Sequence, residues 1–288
     1  MQKNELLSPR YVRDLLTRYG LSPRKKWGQH FLTDPHVLQK ILNAAAPEAE
    51  DCVLEIGPGL GALTQGLVAG AGKVLAVELD KSLVDLLAVN FHDTIQAQTL
   101  EIIQGDVLKL DLPALLNPYR DKTLKVVANL PYYITTPVIM RLLEMPVFFS
   151  SVTVMVQKEV ALRMSAKPGT KDYGALSLAV GYYADTEIVA NVPTNSFLPR
   201  PEVDSAVIVL RALEKPPVTG DKDFLFKVIH AAFGQRRKTL VNALFAVGIG
   251  ESKEQLTTVL THCGLRTDIR GEALDLLQFS KLAEELHE

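Results

Sequence analysis

At 288 residues, 47% hydrophobic and 22% charged, the chain has the bulk for one large domain plus a small one and the composition of a soluble globular protein. No apolar run approaches the ~20 residues of a membrane span, and the polar start through Leu16 lacks the apolar core of a signal peptide, so a cytosolic protein with no membrane partner is expected. A net charge of −2 excludes a uniformly basic nucleic-acid binder, yet residues 1–30 hold seven Lys and Arg against Glu5 and Asp14, while residues 251–288 hold eight acids against four bases. That asymmetry points to a basic face turned toward a polyanion. Two cysteines, Cys52 and Cys263, make neither a disulfide framework nor a ligand cluster, and no metal is expected.

In chain order, residues 8–20 read as a short amphipathic helix opened by Pro9 and closed by Gly20. Asp34-Pro35 caps a second helix whose apolar face is Val37, Leu38, Ile41, Leu42 and Ala45. From residue 52 the pattern alternates. Strand-like runs at 52–56, 73–78, 100–104, 124–129 and 151–157 are separated by helical segments near 61–71, 81–91 and 136–144. Nearly continuous apolar strands alternating with helices predict an α/β fold with a doubly wound, mostly parallel sheet. Two late strand candidates, 186–192 and 205–213, would add an antiparallel edge pair. Residues 167–174 read as a polar loop and 216–221 as a linker. Beyond it only helical periodicity remains, so a small all-helical C-terminal domain is expected.

Four strand ends carry the chemistry. The first opens into Glu55-Ile56-Gly57-Pro58-Gly59-Leu60-Gly61, where glycines permit a tight turn and close backbone approach to a ligand. The preceding acid opposes a pyrophosphate and suits a cation with an ammonium or sulfonium group. The second strand ends in Glu78, placed to take a ribose diol, and the third in Gly105-Asp106, an acceptor for an adenine amine. With no arginine to read a 2′-phosphate, S-adenosylmethionine fits better than NAD or NADP. The fourth strand runs into Asn129-Leu130-Pro131-Tyr132. Pro131 cannot continue a central strand, so an amide, a proline carbonyl and an aromatic ring are presented together at the sheet's rim. The Asn129 side-chain oxygen and the Pro131 carbonyl could take the two hydrogens of a flat, conjugated amine, with Tyr132 stacked on its base.

These residues resemble the ribosomal RNA adenine N6,N6-dimethyltransferase family, in particular its bacterial small-subunit branch. The resemblance spans nearly the whole chain. It rests on Gly28-Gln29-His30-Phe31-Leu32, the Glu55–Gly61 loop, Val77-Glu78-Leu79-Asp80, Gly105-Asp106-Val107, Asn129–Tyr132, the run Phe197–Ser205, and Phe233-Gly234-Gln235-Arg236-Arg237-Lys238. It implies a Rossmann-like methyltransferase fold of seven strands, with a catalytic domain over 1–214 that includes a basic extension at 1–33. A helical RNA- or ribosome-binding domain would occupy 215–288. It implies that Gln29, His30 and Leu32 touch the methyl donor, that Gly57 and Gly59 line its methionine part, and that Glu78 and Asp106 hold ribose and adenine. Asn129 would bridge donor and target, with Pro131 in the same turn, and Tyr132 and Phe197 would sandwich a flipped adenine. His30 departs from the asparagine found in some members. Arg24, Lys25, Lys26, Arg236, Arg237 and Lys238 are the expected phosphate contacts.

The function implied is dimethylation, with S-adenosylmethionine as donor, of two adjacent adenosines in a hairpin loop near the 3′ end of small-subunit rRNA. The partner would be an immature small ribosomal subunit and the chain a monomer. Three alternatives stand beside it: the large-subunit adenine methyltransferases of macrolide resistance, a subunit assembly factor with methylation secondary, and, more distantly, a dehydrogenase.

Overall fold

A computed structural model describes residues 5–21, 28–235 and 237–287. The chain forms two compact units, Met1–Ala161 with Thr186–Ala212, and Leu162–Asp185 with Leu213–Glu288. The sequence places the join at 214–215. The segment 162–185 instead groups with the C-terminal helices, because Tyr173, Leu178 and Tyr182 bury their side chains in the same apolar core as Leu225, Ile229 and Phe279.

In the first unit, α1 (Pro9–Arg18) is opened by the Ser8 side chain and buries Val12, Leu15 and Leu16. A two-residue strand β1 (Phe31–Leu32) precedes α2 (Pro35–Ala45). There the Asp34 carboxylate accepts from the N–H groups of His36 and Val37, a cap worth about 1 kcal/mol. Then follow β2 (Asp51–Ile56), α3 (Ala62–Val68), β3 (Lys73–Glu78), α4 (Lys81–Asn90), α5 (His92–Gln96), β4 (Leu100–Gln104), α6 (Leu112–Leu116), β5 (Thr123–Asn129), α7 (Thr135–Glu144) and β6 (Ser151–Gln157). After α8 (Lys158–Ser165) and α9 (Ala175–Tyr183) come β7 (Ala184–Val192), the short β8 (Phe197–Leu198) and β9 (Ser205–Ala212).

Seven strands form one sheet in the order β4-β3-β2-β5-β6-β9-β7. Pairings among β2 to β6 are parallel, and β9 runs antiparallel to β6. All six residues of β2 are buried, as a strand covered by helices on both faces requires. The order reverses between β2 and β5, so their C-terminal ends part and leave a crevice there. At the other end of these strands Lys125 pairs with Asp51 at 2.7 Å and donates to the Ala46 carbonyl, tying the end of α2 to the sheet.

A second small sheet falls outside the predicted elements. β1 and β8 pair antiparallel, Phe31 opposite Leu198 and Leu32 opposite Phe197. Two-residue strands carry no readable period. This pairing is nevertheless what brings the segment after Gly28 beside the Phe197–Ser205 run.

The second unit is completed by α10 (Lys222–Gly234), α11 (Leu240–Phe245), α12 (Lys253–His262) and α13 (Leu276–His287). They close over Val228, Leu240, Leu256, Leu260 and Phe279, and the Tyr173 hydroxyl donates to the Leu274 carbonyl at 2.7 Å. Among the described residues no helix is long and apolar enough to cross a membrane.

Candidate active site

The turn after β2 is built on backbone that side chains resist. Gly59 has φ +60°, and a Cβ there would lie 3.3 Å from the Phe31 ring. The Gly59 N–H donates to Glu78 Oε2 at 3.2 Å, while Glu78 Oε1 accepts from the Asp80 N–H at 2.9 Å. Two backbone donors thus fix the Glu78 carboxylate at the end of β3. Burial still outweighs them and pushes its pKa above the ordinary value. The turn after β4 is held in a similar way, Asp106 Oδ1 accepting from the Leu108 N–H at 2.9 Å.

At the end of β5 the Asn129 Nδ2 donates to the His30 carbonyl at 3.0 Å. That bond sets the amide's orientation and leaves Oδ1 as its acceptor. The His30 ring is held by the Pro199 carbonyl, which accepts from Nδ1 at 2.8 Å, and it stacks on Tyr132 with centroids 5.7 Å apart. The Tyr132 hydroxyl in turn meets Ser205 Oγ at 2.8 Å.

A cleft of about 340 Å³ opens at these strand ends. Gln29, His30, Leu32, Gly57, Gly59, Glu78, Asp106 and Asn129 all line it, as does Pro131. Among the described residues its walls carry two carboxylates, Glu78 and Asp106, and no Lys or Arg. Such a lining suits a cationic ligand with hydroxyl and amine donors and disfavours a pyrophosphate. Among the described residues no group of His, Cys, Asp and Glu is placed to hold a metal ion.

Other expected residues stand elsewhere. Tyr132 is half-buried and outside the cleft lining. Phe197 is 3% exposed and packs into the apolar core with Phe31 and Leu32, because β8 pairs with β1, so it offers no free face to a base. The Pro131 carbonyl already accepts from the Ile134 N–H at 3.2 Å and the Thr135 hydroxyl at 3.1 Å. Both its lone pairs are used, which leaves the Asn129 oxygen as the turn's acceptor for an amine. Arg237 and Lys238 are exposed just before α11. Arg24, Lys25, Lys26 and Arg236 lie outside the described residues.

One residue escaped the sequence reading and another was misread. Tyr133 lines the cleft and is 53% exposed. Burial first, then the Asp106 and Glu78 carboxylates, hold its hydroxyl above the usual tyrosine range. Its signal was only adjacency to the Asn129–Tyr132 turn. Glu55, read as an anion facing a cationic ligand, is fully buried and outside the lining. Neither of its oxygens has a hydrogen-bond partner among the described residues, and the nearby Thr64 hydroxyl falls short of bonding geometry. Burial pushes its carboxyl up to about 8, so it is neutral at pH 7 and contributes no charge.

The model of the family described as ribosomal RNA adenine dimethylase matches residues 20–287. The chain belongs to this family. A ribosomal RNA small subunit methyltransferase A of Lachnoclostridium phytofermentans is 50% identical over 284 residues, 97% of each chain. A protein of the same name from Pelotomaculum thermopropionicum is 46% identical, covering 96% of each. Among solved structures, a dimethyladenosine transferase from Plasmodium falciparum superposes with a TM-score of 0.74 at 29% identity, over 87% of this chain and 95% of that one. The 23S rRNA methyltransferase ErmE shares the fold, with a TM-score of 0.68 at 24% identity over 89% of this chain and 99% of its own.

Proposed function

We propose that this chain dimethylates the N6 amines of two adjacent adenosines in a hairpin loop near the 3′ end of small-subunit rRNA, in the cytoplasm, with S-adenosylmethionine as donor. The observation that carries the reading is the convergence of five separate segments on one cleft. They are the Gln29–Leu32 segment, the Gly57–Gly59 turn, Glu78 at the end of β3, Asp106 after β4, and the Asn129 amide. Full-length relatives named small subunit methyltransferase A support the choice of subunit.

The donor, when bound, supplies an electrophilic methyl group that carries its own leaving group. Every other task falls to the protein. Gln29, His30 and Leu32 touch the donor, and the Gly57 and Gly59 backbone lines its methionine part. Glu78, fixed by two N–H groups, takes the ribose hydroxyls, and Asp106 takes the adenine amine. Asn129 Oδ1, aimed by the His30 carbonyl, accepts a hydrogen from the target amine, orients its nitrogen and stabilises the positive charge that develops there. The target base must leave its stack to reach this point, and stacking on an aromatic ring such as Tyr132 returns roughly 1–3 kcal/mol. Phe197 would join it only after leaving its packed position. Arg237 and Lys238, with Arg24, Lys25, Lys26 and Arg236, bind the phosphates, and the substrate is an immature small subunit bound by a monomer.

Mass spectrometry of nucleosides from separated subunit RNAs, with and without the protein and donor, tests this reading. N6,N6-dimethyladenosine is expected in small-subunit RNA alone, and Asn129→Ala is expected to lower its rate by about 10²-fold or more. Product in large-subunit RNA, or an Asn129→Ala enzyme of full activity, would overturn it.

A further inference from the structure

Helix α7 begins six residues past Asn129, where the Thr135 hydroxyl holds the Pro131 carbonyl. In its last turn stands Arg141, which the site described above does not use. Its guanidinium makes no ion pair among the described residues. It reaches instead to the loop after β4, where Nη2 donates to the Leu110 carbonyl at 2.6 Å and Nη1 to the Leu108 carbonyl.

That loop is the one that carries Asp106. It starts with the Gly105 N–H bound to the Glu78 carbonyl at 2.9 Å, and it curls back so that the Lys109 and Leu110 N–H groups donate to the Asp106 carbonyl at 2.8 and 3.0 Å. Gly105, Asp106, Val107 and Leu108 all line the cleft. Asp106 Oδ1 is committed to the Leu108 N–H, so Oδ2 is the oxygen left for a ligand, with the exposed Lys109 Nζ at 3.9 Å. The backbone that aims Oδ2 is therefore held from the sheet side by the Glu78 carbonyl and from the far side by one planar, permanently charged fork.

We propose that Arg141 is a positioning residue for donor recognition: by fixing the Leu108 and Leu110 carbonyls it sets Asp106 at the height where it distinguishes an adenine from a base lacking the exocyclic amine. A single rigid helix then links the two halves of the reaction, holding the target-amine turn by Thr135 and the donor-base loop by Arg141. This rests on the reading of Asp106 as the adenine contact, and the experiment separates the two.

Calorimetric titrations with S-adenosylhomocysteine and S-inosylhomocysteine, whose base carries a carbonyl in place of the amine, measure the adenine preference directly. In Arg141→Met the affinity for S-adenosylhomocysteine is expected to fall about tenfold, the size of one charge-assisted hydrogen bond. Affinity for the inosyl ligand is expected to change little, so the preference narrows. Arg141→Lys keeps the charge but replaces the fork with a single point donor, and an intermediate preference is expected; it also serves if Arg141→Met does not fold. Equal weakening of both ligands, with the preference intact, would mean that Arg141 only supports the fold and would overturn the proposal. Asp106→Ala supplies the other arm. If the preference survives Asp106→Ala yet narrows in the Arg141 variants, the assignment of Asp106 falls, and with it the claim that Arg141 acts through Asp106. If the preference collapses in Asp106→Ala but survives in both Arg141 variants, the proposal for Arg141 falls alone.

Discussion

Replacing Glu55 by Gln removes one ionisable group from the centre of the sheet while keeping its shape. Glu55 is 0% exposed, neither oxygen is hydrogen-bonded to a described residue, and burial raises its pKa from 4.5 to about 8. Between those values the folded chain keeps a proton that the unfolded chain has released, so stability must fall as pH rises. The contribution of the neutral carboxyl is fully present below pH 4.5 and is lost as pH climbs through 8. The slope approaches about 1.4 kcal/mol per pH unit, which amounts to about 3 kcal/mol by pH 7. Glu55→Gln has no such slope. Urea unfolding of both proteins at several pH values from 5 to 8 is the assay. The variant is expected to match the wild type near pH 5 and to exceed it by about 3 kcal/mol at pH 7. A difference between the two proteins that stays constant with pH would refute the neutral, unpaired state of Glu55.

Gly61→Ala is expected to lower stability by about 2–4 kcal/mol. Its φ is +91° and the new Cβ would sit 2.4 Å from the Phe91 ring, and an unchanged thermal midpoint would show that this turn yields more easily than its geometry implies. Replacing Arg237 and Lys238 together by Ala is expected to flatten the plot of log affinity for rRNA against log salt by roughly 0.7–0.9 for each phosphate the pair neutralises. Donor affinity should stay as it is; an unaltered slope would make these two exposed cations bystanders.

Much of the fold was legible because parallel strands buried on both faces spell themselves out as apolar runs, as β2 and β5 do. The cleft lining was legible because its parts follow strand ends, where Gly57, Glu78, Asp106 and Asn129 punctuate those runs. What was not legible depends on partners distant in sequence. The β1–β8 pairing turned Phe197 inward, and the Tyr173 bond to Leu274 drew residues 162–185 into the helical core. Two further points turn on local geometry that residue identity does not reveal. The Pro131 carbonyl is taken by its own following turn, and the Glu55 carboxyl makes no hydrogen bond to a described residue. Arg141 reads in sequence as one more charge near a helix end; only the folded loop shows two carbonyls waiting for it.

The pairing of Phe31–Leu32 with Phe197–Leu198 has a consequence for biosynthesis. His30 and Gln29 leave the ribosome early, but the strand that seats them emerges only once residue 198 has been translated. A nascent chain arrested before that point would own the glycine turn and its carboxylates yet lack one wall of the cleft. The Gln29–Leu32 wall of the cleft is thus seated long after the glycine turn and its carboxylates have been made.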